Sequence, residues 1–300
     1  GACTGEILLP AQIATEQLFP YQGVRAHSIS AISIWQRFDV NWYLAIAQRG
    51  YGNVPGDVHF PPLYPALIRF ISLAVRDDLL VGILVSQLAL YVLVALLYKL
   101  FTNWGGEAIA CKGLFFFLIF PSSFFLFSAY SEAVFMLVAV LAMQSIRSGN
   151  WHWSGFWIFC AILIRLQGVA LIVPLIWCLL RTRVNMTRWQ NLLFACLLPA
   201  LAGGVYLYLR ARAGGDGVIP LTETNLHARI VFPWDNMIYS IRYLLEGSGG
   251  YIDFLNLILF AGFAALLALK WRSLPMEYSL FSAASIIVFS LRLVDTQPLN

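Results

Sequence analysis

Asp39 is the residue of this 300-residue chain best placed to do chemistry. It is a single carboxylate in the run Trp35-Gln36-Arg37-Phe38-Asp39-Val40-Asn41-Trp42-Tyr43. An acid walled by rings, where water is scarce, can take the proton of a hydroxyl, because its surroundings tune its proton affinity towards the working pH. The alternative is a solvated Asp that caps or decorates a surface helix. A second stretch, His59-Phe60-Pro61-Pro62-Leu63-Tyr64-Pro65, follows after a short polar gap. Its prolines fix φ and stiffen the return of the chain. His59 could contact a phosphate or simply lie in solvent.

Other charges stand in apolar surroundings. Arg165 interrupts a long apolar run. Facing lipid it would cost at least ~2.5 kcal/mol, so it is expected to face a polar cavity or partner. An anionic lipid headgroup fits, since a guanidinium binds phosphate oxygens in bidentate fashion. Arg229 and Arg242, in the loop that holds Phe232-Pro233-Trp234, could join such a clamp or pair with Asp235 or Glu246. Glu132 opens an apolar run, where the helix dipole would favour it; it could equally contact a sugar or the loop that carries Asp39. The chain has no Gly-x-x-x-x-Gly-Lys loop and no Asp-x-Asp pair. Neither a nucleotide donor nor a metal or other cofactor is called for, and a lipid-phosphate donor fits better.

The elements that must hold these residues are written in the composition. The chain is 60% hydrophobic and 11% charged, with a mean hydropathy of +0.76, against about 25% charged residues in a soluble domain. The net charge of +4 is small, and no basic run suggests a nucleic-acid partner. The five cysteines, at positions 3, 111, 160, 178 and 196, have no metal-ligand spacing, and four of them sit in apolar runs or at their edges.

The reading is an all-α, polytopic transmembrane bundle forming one domain over residues 1–300. Residues 1–78 are an outer loop with interfacial helices near 35–49 and 62–76; 79–209 are the helical core, 210–250 a second outer loop and 251–300 further spans. Spans are expected near 79–101, 108–127, 130–147, 153–180, 189–209, 251–270 and 277–292, with 153–180 broken at Arg165-Leu166-Gln167-Gly168. On the first helix Trp35, Phe38, Trp42 and Ile46 make an apolar stripe that can lie on lipid, opposite Arg37, Asn41 and Gln48. Alternate short connections hold Lys99, Lys112, Arg147, Arg181, Arg183, Arg188, Lys270 and Arg272 with only Glu107 and Glu277 as acids. The positive-inside rule then puts Asp39, Glu132, Arg165, Arg229 and Arg242 outside. Gly1 replaces a start methionine and Pro298-Leu299-Asn300 follows a candidate span, so the chain reads as a fragment, with one span expected before it and others after it.

At these residues the chain resembles the PIG-V family of mannosyltransferases and their prokaryotic relatives. The likeness runs through Arg37-Phe38-Asp39, Trp42-Tyr43, Ile46-Ala47, Gly50-Tyr51, Phe60-Pro61-Pro62-Leu63-Tyr64-Pro65, Pro121-Ser122-Ser123-Phe124-Phe125 and Ala129-Tyr130-Ser131-Glu132. A looser echo is Arg165 to Gly168, then Arg229 to Trp234. Phe38 stands where the family usually has Trp, and Phe60-Pro61-Pro62 where it usually has Phe-Phe-Pro.

The resemblance implies a GT-C glycosyltransferase fold with the catalytic acid in the first outer loop. It implies transfer of mannose, with inversion, from a polyprenyl- or dolichyl-phosphate donor to a glycolipid or glycan acceptor. Asp39 would then be the general base, and Arg165 and Arg229 would hold the donor phosphate. Arg37, Trp42, Tyr43, His59, Tyr64, Tyr130 and Glu132 would contact substrate. The implied home is the plasma membrane of a prokaryote or the endoplasmic reticulum membrane of a eukaryote, with the site on the extracytoplasmic face. A membrane transporter or a non-catalytic multi-span protein are the alternatives. The former would carry its polar residues near the bilayer midplane on broken helices.

Overall fold

The computed structural model describes residues 24, 27–53, 56–181, 189–212, 222–223, 228–230, 232–247, 251–290 and 292–294. The chain forms two compact units. The first takes residues 1–141, 160–166 and 202–213; the second takes 142–159, 167–201 and 214–300.

The helices are α1 (Val40–Arg49), α2 (Leu63–Val75), α3 (Asp78–Gly105), α4 (Glu107–Ile119), α5 (Glu132–Arg147), α6 (Trp151–Ile164), α7 (Ile172–Arg181), α8 (Trp189–Arg212), α9 (Pro233–Leu245), α10 (Tyr251–Lys270) and α11 (Met276–Ser290). Single helical turns at Ser30–Ser33 and Phe124–Phe127 complete the described α-helices. The expected all-helical architecture holds except for a small antiparallel sheet in the second unit. Its strands β1 (Thr222–Glu223), β2 (Ala228–Ile230) and β3 (Arg292–Val294) lie in that order, with Thr222 opposite Arg229 and Arg229 opposite Leu293. Composition did not reveal it, because its strands are only two or three residues long.

In the first unit, α3 is 28 residues long, about 42 Å at 1.5 Å per residue. It starts where Asp77 accepts a hydrogen bond from the Leu80 N–H at 3.0 Å, an N-cap that satisfies one orphan donor. His27 Nε2 lies 2.8 Å from the other Asp77 oxygen. Burial opposes ionisation of Asp77, but the Leu80 N–H and His27 outweigh it and hold its carboxyl below the usual range. Helix α4 stops at Ile119 because Phe120 takes the extended conformation demanded before Pro121 (ψ 137°). The chain then turns by 73° into 121–127.

Two described helices are long and apolar enough to cross a membrane by length and composition, at Asp78–Gly105 and Leu193–Arg212; counting the bent pair 107–127 makes three. Seven had been expected. Helices stand at all seven positions, but several are short: α5 has 16 residues, α6 14 and α11 15. A hydropathy run counts residues through a bend, whereas a helix ends where the backbone bends. The break expected at Arg165 is present, as the 3₁₀ turn Leu166–Leu171 between α6 and α7.

The first outer segment also differs from the expectation. Helix α1 begins at Val40 rather than 35, and Phe38 has a positive φ of 48°, so the stripe Trp35–Phe38–Trp42–Ile46 is not continuous. Residues Val40 to Ala47 are buried on every side, Asn41 included. This helix is core and does not lie on a surface.

In the second unit α6 and α8 approach closely at Gly155. A Cβ there would lie 2.5 Å from the Phe194 carbonyl oxygen, whereas one on Gly204 meets nothing within 4 Å. Ala normally favours a helix over Gly by about 1 kcal/mol. Gly204→Ala is therefore expected to stabilise the protein, and Gly155→Ala to destabilise it by about 1–3 kcal/mol through overpacking. Thermal unfolding of both variants in detergent checks the opposite signs.

Candidate functional site

Three hydrogen bonds from the stretch 128–130 shape the turn that presents Asp39. Ser128 Oγ donates to the Trp35 carbonyl at 3.1 Å, and the Tyr130 hydroxyl donates to the Arg37 carbonyl at 3.3 Å. The Tyr130 oxygen in turn accepts from the Asp39 N–H at 3.2 Å. Trp35 stacks on Phe124 with ring centroids 5.6 Å apart. Such anchors hold Phe38 at its positive φ, a conformation that costs a bulky residue of order 1–3 kcal/mol. The Phe38 ring is 67% exposed. Asp39 follows it at the start of α1, half-buried, with its carbonyl accepting from Tyr43 N–H at 3.1 Å.

Rings wall the buried side. Tyr43 packs edge-on against Phe60 (5.3 Å), Tyr64 (4.9 Å) and Tyr130 (6.4 Å). Trp42 stacks on Phe60 at 5.3 Å. Its other neighbour is Gly56, where a Cβ would come within 2.9 Å of the indole and where φ is +95°. Only glycine fits there on both counts. Tyr64 donates towards the Gly82 carbonyl at 3.2 Å and lies 2.8 Å from Ser86 Oγ, which donates to the Tyr130 carbonyl at 2.7 Å. Tyr64 and Ser86 thus tie α2 and α3 to the segment that shapes the Asp39 turn.

The polar centre lies beside this wall. The Tyr43 hydroxyl is 2.8 Å from Ser131 Oγ, which accepts from Arg165 Nη1 at 3.2 Å. The same Arg165 nitrogen is 2.5 Å from Glu132 Oε1. Among the described residues no acceptor meets Arg165 Nε or Nη2, and Glu132 Oε2 is buried with no hydrogen-bond partner. Burial pushes the Tyr43 hydroxyl's pKa up, against the pull of Arg165, with Glu132, Ser131 and Asp39 also acting on it. It stays a neutral phenol at ordinary pH, available as a donor. The arrangement can hold one carboxylate at the edge of an aromatic wall and offer guanidinium N–H groups to an anion close by.

The expected site residues fall into three groups. Asp39, Tyr43, Tyr130, Glu132 and Arg165 come together as described. Trp42 and Tyr64 are buried and support the wall. His59 ends a 3₁₀ turn at Asp57–His59, half-buried. Arg37 is half-buried, and its guanidinium has no acceptor among the described residues. Arg229 pairs through its backbone in β2, but its side chain lies outside the described residues. Arg242 is exposed on α9.

The sequence reading missed three supports. Asp57 is 2% exposed, and its carboxylate accepts from the Gly52 and Asn53 N–H groups at 2.8 and 3.2 Å, closing the loop after α1. The Val58 carbonyl accepts from the Tyr206 hydroxyl at 3.0 Å. Gln36 Nε2 donates to Asn41 Oδ1 at 3.0 Å in the buried base of the turn. A Gly-Asn pair followed by Asp is a turn signal, so Asp57 was open to discovery; the Tyr206–Val58 bond joins residues 148 positions apart, and the Gln36–Asn41 bond, only five apart, spans the non-helical turn at Phe38.

No family model matches the chain, and no curated protein or solved structure matches it. The Glu132–Arg165 pair is testable by a double-mutant cycle. Both side chains are 25% exposed. Glu132→Gln and Arg165→Lys are each expected to destabilise, with a coupling of about 1–3 kcal/mol between them. Denaturant unfolding of the two single variants and the double variant measures it.

Proposed function

We propose that the chain is an inverting glycosyltransferase of the PIG-V type, working at a membrane. It would move mannose from a polyprenyl- or dolichyl-phosphate donor to a hydroxyl of a glycolipid or glycan acceptor. The observation that carries this reading is the half-buried Asp39 held at an aromatic wall, with Arg165 and Glu132 beside it. The chain's apolar character and the two span-length helices among the described residues support a membrane setting. In this reading the site faces the extracytoplasmic side of the plasma membrane or of the endoplasmic reticulum membrane.

The reaction is a single displacement. Asp39 removes the acceptor hydroxyl's proton as that oxygen forms a bond to the anomeric carbon from one face. The bond from that carbon to the phosphate oxygen breaks on the other face, and the lipid phosphate leaves with the electron pair. Arg165 Nε and Nη2 are suited to meet the departing phosphate, with Nη1 anchored on Glu132 and Ser131. Tyr130 positions the base by fixing the backbone on both sides of Phe38.

Mannose incorporation from labelled polyprenyl-phosphate mannose, with the product identified by mass spectrometry, tests the reading. Asp39→Asn is expected to lower turnover by roughly 10²–10⁴-fold, the usual share of general base catalysis, with donor binding kept. Asp39→Glu displaces the carboxylate by about 1 Å and is expected to lose about 10²-fold. Near-normal transfer by Asp39→Asn would remove Asp39 as the base. Arg165→Lys retains the charge without the planar fork, so the KM for donor is expected to rise.

A further inference from the structure

Helix α9 (Pro233–Leu245) is built inside out. On a helical projection Trp234, Ile238, Ile241 and Leu245 fall at i, i+4, i+7 and i+11, one face, with Met237 on its edge. All five are exposed, Leu245 by 83%. The opposite face holds Asn236, Tyr239, Ser240 and Tyr243, all half-buried. Asn236 Nδ2 donates to the carbonyl of Ser290 at 3.1 Å, at the end of α11. Tyr239 and Tyr243 stack on that same face, ring centroids 6.0 Å apart. Asp235, Arg242 and Glu246 occupy the flank between the two faces and are exposed. A helix on a protein in water turns its apolar side to the core. This one turns its polar side to the protein and its apolar side away.

We infer that the exposed face of α9 docks on a bilayer surface, shallowly, at the boundary of headgroups and acyl chains. Three observations select lipid as the occupant. The helix is tied to the last residue of the apolar helix α11, the level at which such a helix would leave a membrane. Only six residues after it ends, α10 begins, and the outward residues Phe254, Leu255, Ile258, Phe263, Leu266 and Leu269 are likewise apolar and exposed. The apolar surface of α9 therefore has an apolar neighbour within its own unit. Phe232 and Trp234 stack at 4.7 Å where the helix starts, both more than half exposed. Aromatic rings beside a charged flank are the side-chain arrangement of interfacial helices. The inference rests on the membrane setting proposed above and is independent of the catalytic assignment.

Photocrosslinking of the full chain in nanodiscs tests it, using phospholipids that carry a diazirine near the headgroup or near the chain end. With the shallow probe, adducts mapped by mass spectrometry are expected on Trp234, Met237, Ile238, Ile241 and Leu245, several-fold above Asn236, Tyr239, Ser240 and Tyr243. The deep probe is expected to mark the exposed side of α10 and to spare α9. Adducts on α10 but not on α9 with either probe would overturn the docking of α9 alone. The same holds if a protein crosslinker joins the α9 stripe to a second copy. Absence of adducts from both helices would overturn the membrane setting along with it. Mannose transfer is not read in any arm, so failure of the catalytic proposal leaves the result intact.

Discussion

A charge inside an apolar unit must be neutralised where it stands, and the pair Glu132–Arg165 meets that constraint for the first unit. An unpartnered guanidinium or carboxylate in such surroundings would cost several kcal/mol. The two residues come from opposite ends of a problem. Arg165 follows α6, where the helix has just ended, and Glu132 opens α5, where the N-terminal dipole favours an acid. Their meeting fixes where both helices stop and start. Ser131, one residue earlier, links the pair to Tyr43 on α1. Tyr130, one residue earlier again, reaches the turn that presents Asp39. Three consecutive side chains thus carry the geometry from the ion pair to the candidate base.

The same stretch shows why the break after α4 matters. A helix running straight through 120–130 would satisfy its own backbone groups and turn its side chains outwards. Pro121 removes that option, because it lacks the N–H and restrains Phe120 to an extended conformation. The chain after the break carries Phe124, Ser128 and Tyr130 against Trp35, Arg37 and Asp39. The positive φ at Phe38 is the local counterpart. An L-residue keeps that conformation when its neighbours over-determine it, and strain of this kind gathers at functional sites. Relaxing Phe38 to an ordinary helical φ would carry the 35–49 region towards one continuous helix and move Asp39 away from Tyr130.

Two segments of this protein that read as amphipathic are buried with opposite results. Helix α1 reads as amphipathic, yet Val40 to Ala47 are all enclosed. Asn41 is enclosed with them, and its Oδ1 accepts from Gln36. Helix α9 also reads as amphipathic, yet it exposes its apolar side. A hydropathy pattern measures the contrast between two faces and carries no sign for which face meets the protein. In water the sign is fixed in advance, because apolar surface leaves the solvent. Here packing partners set it: rings for α1, the end of α11 for α9.

The sequence by itself determined the helical, apolar character of the chain, the break at Arg165, the helix start after Pro62 and the set of residues around Asp39. Those features rest on local chemistry: proline geometry, a charge inside an apolar run, and rings spaced along a short run. Tertiary structure alone decided three things. It placed Glu132 on Arg165, 33 positions away in the chain, so that an acid readable as a helix-dipole residue became half of an ion pair. It cut the first helix back to Val40, where bonds from Ser128 and Tyr130 hold residues 35–39 in a turn in place of the five further helical residues expected. It also made several of the expected spans shorter than a bilayer, since hydropathy does not record where a helix bends. The physical reason is common to all three. Periodicity and composition report what each residue prefers, while contacts between residues far apart in the chain decide which preference is satisfied.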